Sequence, residues 1–208
     1  FKLLISFFYL LYFTTIASGI IPLLVAVLVA RINKFQFEKQ TRFLILLSSF
    51  RLITEFAIIA LAITIKNSFP AVHVSILLSF LAIIHILNSI YSIKLIHLLY
   101  IIGSIAFILD LVLTSDLFKP AFVSSMLTFS IIVGLCIWIL HQNEISDEDE
   151  KLIGTLLVFY LITLGYYLFM QLLIYKSKSG NIATHLFFIF NLLFNFRISY
   201  LIWLKRKN

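Results

Sequence analysis

Seven apolar runs, each about as long as a helix needs to cross a bilayer, make up most of this 208-residue chain. A membrane-crossing helix takes ~20 predominantly apolar residues. By that criterion the runs fall at about 3–30, 43–65, 70–92, 95–113, 120–141, 152–175 and 182–204. The connections are short, which leaves no room for a separate soluble domain. Residues 1–208 are therefore expected to form a single all-α polytopic transmembrane bundle of seven spans, with one acidic loop at 142–151.

Composition supports the same class. Hydrophobic residues make up 62% of the chain and charged residues only 12%, against roughly a quarter charged in soluble domains. Outer-membrane barrels alternate apolar and polar residues over ~10-residue strands, whereas these runs are apolar on every side. The net charge of +7 would suggest nucleic acid in a soluble protein. Here the Lys and Arg residues cluster at run ends, where they set membrane topology, so nucleic-acid binding is rejected. The single cysteine, Cys136, lies within a run. It excludes an intrachain disulfide or a cysteine metal cluster and is expected to fill the core.

The first run is too long to cross upright at 1.5 Å per residue. Ser18-Gly19 followed by Pro22 offers a place to bend. Lys2, the apolar stretch after it and Thr15-Ile16-Ala17 imitate a signal peptide, but apolar sequence continues through residue 30, which favours a retained span. The chain starts at Phe1 rather than methionine, so a few earlier residues are expected to be missing.

Seven spans place the termini on opposite sides. One side carries Arg31, Lys34, Lys39, Arg42, Lys94, Lys151, Lys205, Arg206 and Lys207, and the other Lys2, Lys66, Lys119, Lys176 and Lys178. Nine against five, by the positive-inside rule, puts the C-terminus in the cytoplasm and the N-terminus outside. The loop with Glu144, Asp147, Glu148, Asp149 and Glu150 is then cytoplasmic. Ser146, three residues before Asp149, resembles a capping box for the sixth helix, whose positive end suits acidic residues. A docking patch for a basic partner is the functional alternative. An EF-hand is not, because the glycine and ligand spacing are missing.

Polar residues inside apolar helices are the candidate functional groups. Arg51 and Glu55 lie four residues apart in the second run, so they share a face and can neutralise each other. Ser48 and Ala62 extend that stripe. Glu55 falls ~18 Å into the span and Arg51 nearer the cytoplasmic end. Either the pair locks helices together or it forms a ligand or proton site. In the third run His85, Asn88, Ser89 and Ser92 follow helical spacing, which could set His85 level with Arg51 and near Glu55. His85 could relay protons or bond a neighbouring carbonyl, and Asn88 is expected to bond across helices.

The sixth run aligns Tyr160, Thr163, Tyr167 and Gln171 on one face, and the seventh aligns Thr184, Asn191, Asn195 and Ser199. These two stripes serve as polar glue between neighbouring helices or line a small cavity for a polar headgroup or metabolite. Arg197 projects off the second stripe, toward headgroups. Asp110, His73 and His185 fall near the outer ends of their spans, where they form an outer vestibule or meet interfacial water.

Retinal proteins need a lysine in the last span, and residues 182–204 contain none. Neither Gly-x-Ser-x-Gly nor His-Glu-x-x-His occurs, and the histidines lack metal-ligand spacing. A non-enzyme without metal or cofactor is the expectation. The span pattern, with Glu55 in the second run and His185, Asn191 and Asn195 in the last, resembles bacterial seven-span inner-membrane proteins, some of which look like sensing modules of signalling systems. That resemblance implies a bacterial cytoplasmic-membrane location and other membrane proteins as partners, besides the lipid bilayer. Three functions stay open: a sensor or interaction subunit working through partners, a structural or accessory subunit of a larger complex, and a small transporter or proton-coupled channel using Glu55. Paired broken helices and an evident inverted repeat, the marks of many transporters, do not stand out in the sequence.

Overall fold

A computed structural model describes residues 13–14, 17–32, 39–64, 69–114, 122–142, 145–172 and 178–204. They form α1 (Ile21–Ile32), α2 (Lys39–Thr64), α3 (Phe69–Ile90), α4 (Ile96–Thr114), α5 (Phe122–Leu140), α6 (Asp147–Leu172) and α7 (Lys178–Leu204). The described residues are helical apart from their turns and connections. Five helices are long and apolar enough to cross a membrane, over Leu44–Leu61, Pro70–Ile90, Val123–Leu140, Asp147–Phe169 and His185–Leu204, while α1 and α4 are apolar but shorter.

The outer surface supports the same conclusion. Ile53 is 65% exposed, Ile63 74% and Val112 65%, an arrangement that water penalises and hydrocarbon accepts. The chain is an all-helical integral membrane protein, in contact with lipid along these faces.

The helix ends follow from local chemistry. At the expected bend, helical backbone at Ala17 and Ser18 gives way to a turn at Gly19 and Ile20 before α1 begins. Pro22 falls in the first turn of α1, where its missing N–H costs nothing. The Ile20 carbonyl accepts from the Leu24 amide at 3.0 Å, so the helix restarts there. At the start of α6, Ser146 Oγ accepts from the Asp149 amide at 3.2 Å and donates to the Asp149 carboxylate at 2.7 Å. The Ser146–Asp149 cap is thus present, with the reciprocal bond going to the hydroxyl rather than to the backbone.

Packing gathers two groups of helices. The α2 helix lies against α3, and α3 and α4 both pack on α5, which also packs on α6; α7 lies between α1 and α6 and touches α2. Phe80, Ile83 and Leu87 of α3, Ile132 and Cys136 of α5 and Ile153 and Leu156 of α6 are fully buried where these helices meet. Cys136 fills core, as its position in an apolar run implies.

Two glycines on this scaffold should answer alanine differently. A Cβ on Gly103 of α4 would run into the edge of the Phe80 ring, and Phe80 is fully buried. Nothing lies within 4 Å of a Cβ on Gly154 of α6. Gly103→Ala is therefore expected to destabilise by about 1–3 kcal/mol through overpacking, while Gly154→Ala stabilises by up to ~1 kcal/mol through helix propensity. Unfolding titrations in mixed micelles measure both, and equal effects would contradict the α3–α4 contact.

Candidate functional site: a buried polar cluster

The polar cluster is built on α2, α7 and the turn before α1. Arg51 Nη2 donates to Asn191 Oδ1 at 2.6 Å, joining α2 to α7 across 140 residues of sequence. Four residues on, Asn195 Nδ2 donates to Ser18 Oγ at 2.9 Å, joining α7 to the segment before the Gly19 turn. One face of α7, at i and i+4, thus fastens α2 and the segment before α1. Asn191, Asn195 and Ser18 are all buried.

Aromatic rings supply the rest of the arginine's surroundings. The Arg51 guanidinium carbon lies 4.7 Å from the centroids of both Phe159 and Phe194, whose rings stack at 3.9 Å. Cation–π attraction of this kind rises from about 0.5 to 2 kcal/mol as the cation is desolvated. Tyr160, next to Phe159 and buried, lies within electrostatic reach of the same charge. Phe159 and Phe194 were not singled out in the sequence, where they look like ordinary apolar positions. The signal for Phe194 was its i+3 spacing from Asn191 on the face already assigned to the interior.

Arg51 and Glu55 face the same small space but do not close an ion pair on each other; their charges interact across it. The guanidinium turns instead to α7, where an amide oxygen and two ring faces await it. A hydrogen-bonded link between helices thus joins the charge interaction expected along one helix face. The cavity, bordered by Gly19, Ser48, Arg51, Leu52, Glu55, Asn191 and Asn195, measures about 10 Å³. That is about the space one water molecule needs. Arg51 Nη1 is buried without a hydrogen-bond partner among the described residues, and a single water beside Arg51 and Glu55 fits the volume. Gly19 and Ser48 leave that space open because neither brings a large side chain; Ser48 turns its hydroxyl back to the Leu44 carbonyl at 2.8 Å.

The other expected site residues are placed elsewhere. His85 is exposed, borders a groove between α2 and α3 with Leu46 and Phe50, and meets Tyr100 Oη of α4 at 3.2 Å. The face of α3 that packs inward carries Ile83, Ile84 and Leu87. Asn88 Oδ1 accepts from the Ile93 amide at 2.9 Å, holding the turn between α3 and α4 rather than bonding across helices. Thr163 is buried and donates to the Phe159 carbonyl one turn back at 2.8 Å. Tyr167 packs on Phe129 of α5, with centroids 5.5 Å apart. The side chains of Gln171 and Thr184 lie outside the described part of the structure. Of the ten expected intramembrane residues, Arg51, Glu55, Asn191 and Asn195 border one cavity.

Asp110 and His73 are fully buried rather than turned to water. The Asp110 carboxylate accepts from the amides of Val123 and Ser124, both at 2.8 Å, and from the Ser124 hydroxyl. It caps the start of α5 from the neighbouring α4, satisfying donors that a helix leaves open at its first turn. His73 packs edge-on against Phe107 of α4 at 6.4 Å. His185 is half-buried at the same end of α7 as Phe187, which stacks on Tyr166 of α6. No three His, Cys, Asp or Glu side chains converge on a metal position among the described residues. Comparison with protein families, characterised proteins and solved structures returned no match.

Proposed function

We propose that this chain is a non-enzymatic integral membrane protein that acts as a sensor or interaction subunit through partner proteins. The observation that carries this reading is the size of the polar cavity. At about 10 Å³ it accepts a water molecule, whereas small-molecule sites run to ~300–1,000 Å³. A cluster in which one arginine and two asparagines tie three segments of chain is suited to fixing helix positions, and so to passing a shift of one helix to another. The exposed apolar faces give room for partner helices as well as lipid.

On this reading the chain crosses the membrane seven times, α1 belonging to a first span bent at Gly19 and α4 to the fourth. Its N-terminus is outside and its C-terminus cytoplasmic, as the nine-to-five distribution of basic residues supports. A bacterial cytoplasmic membrane and the likeness to seven-span sensing proteins belong to the same proposal. Transport through Glu55 is the second reading, favoured by the carboxylate's place on the cavity.

Glu55→Gln separates them. The substitution keeps the size of the side chain but removes its charge from beside the buried Arg51, so a loss of about 1–2 kcal/mol is expected in unfolding titrations, which accompany the functional assays. A stable stoichiometric protein partner that copurifies in mild detergent, and whose association the substitution alters, is the expected result. A partner-free monomer whose proton flux in liposomes is abolished by the same change would establish the transporter instead.

A further inference from the structure

A second, larger space lies on the lipid-facing side of the same helices. Between α6 and α7 runs an open groove of about 490 Å³, within the range of small-molecule sites. Its walls separate by chemistry. Val158, Ile162, Phe190 and Leu193 make most of its length apolar, while Lys151 and Arg197 stand at one end. Gly154 lies beside those cations, and its missing side chain keeps that end open.

The arginine at the rim is held in place. Arg197 Nε donates to Thr155 Oγ1 at 3.4 Å, and the guanidinium carbon lies 5.3 Å from the Tyr200 ring. Thr155 in turn donates to the Lys151 carbonyl at 2.7 Å. These contacts use one edge of a five-donor fork and leave its terminal nitrogens for a bidentate acceptor such as a phosphate. Lys151 adds a second positive charge on the same rim.

The geometry points to an anionic phospholipid as the occupant, with one acyl chain along the α6–α7 groove and its phosphate between Arg197 and Lys151. Charge complementarity selects this occupant: a zwitterionic lipid fills the apolar length equally well but brings no net charge to the two cations. The site backs directly onto the polar cluster, because Phe159 and Phe194 line the groove and also contact Arg51. A chain seated there presses on the ring pair that flanks the buried arginine. Bilayer composition thereby gains a physical route to the α2–α7 link.

The test is native mass spectrometry of the full chain in mild detergent, titrated with phosphatidylglycerol and with phosphatidylcholine of the same acyl chains. Each cation near an anionic headgroup strengthens binding about fivefold, and the neighbouring acidic turn at 147–150 offsets part of that, so roughly tenfold preference for phosphatidylglycerol is expected. The double variant Arg197→Gln/Lys151→Gln should bind the two lipids alike, with phosphatidylcholine binding unchanged as the sign of an intact groove. Gly154→Leu should weaken both lipids by filling the headgroup end. Equal binding of the two lipids by the parent chain, or a preference that survives the double variant, would overturn the assignment. So would a dimer crosslinked through Val158→Cys in phosphatidylglycerol nanodiscs, which would show a second copy in the groove.

Discussion

Asn191→Leu is expected to destabilise the bundle by about 2 kcal/mol, and adding Arg51→Met to recover most of that loss. Leucine has the same four-atom branched side chain and is larger than asparagine, so none of the effect comes from a cavity. What disappears is the amide oxygen 2.6 Å from Arg51 Nη2. Neutral hydrogen bonds between membrane helices average only about 0.6 kcal/mol, because chains unfolded within lipid also find partners. Bonds to charged groups contribute about 1.5–3 kcal/mol, and this one is short and made by a guanidinium whose other terminal nitrogen is already buried. The upper part of the combined range therefore applies.

Recovery follows from the asymmetry between breaking a charged contact and replacing it. Removing one partner strands a cation, whereas apolar groups of similar size in place of both are often neutral. Methionine is flexible and packs well against aromatic rings, so at position 51 it can keep contact with Phe159 and Phe194. Unfolding of the parent, both single variants and the double variant in mixed micelles closes a double-mutant cycle. A coupling of about 1–2 kcal/mol is the expected outcome. Simple additivity would mean that Arg51 and Asn191 contribute separately and that the α2–α7 link has no energetic content.

The residues of this link were legible in the sequence, but their pairing was not. Helical periodicity put Arg51 and Glu55 on one face, and Asn191 and Asn195 on another, because spacing alone determines which side chains share a stripe. Whether Arg51 meets Glu55 on its own helix or Asn191 on another depends on how helices far apart in sequence cross, and spacing along one helix carries no such information. The same limit explains His85. Its stripe with Asn88 exists, yet α3 turns its isoleucine and leucine face inward, and the histidine ends on Tyr100. The bend at Ser18-Gly19 was visible as chain chemistry; that Ser18 would meet Asn195 needed the fold. Short-range features such as the Ser146–Asp149 cap transferred most directly, since both partners lie within one turn.

Asp110→Ala is the second substitution expected to have a large effect, about 3 kcal/mol, and it acts through a helix to which Asp110 does not belong. The first amides of a helix have no acceptor within it, and burial makes leaving them open costly. In α5 two of them, Val123 and Ser124, donate to the Asp110 carboxylate, which also takes the Ser124 hydroxyl. An ordinary cap contributes about 0.5–2 kcal/mol. Here three donors converge on a fully buried carboxylate at the positive end of a helix, so the loss should exceed that range. Asp110→Asn retains the shape and one acceptor oxygen but turns an amide donor toward other donors, and about half the loss is expected. Amide hydrogen exchange locates the effect: Val123 and Ser124 should lose protection in both variants, most in Asp110→Ala, while amides in the middle of α5 keep theirs relative to global stability. Unchanged protection at those two positions would show that α5 starts without help from α4.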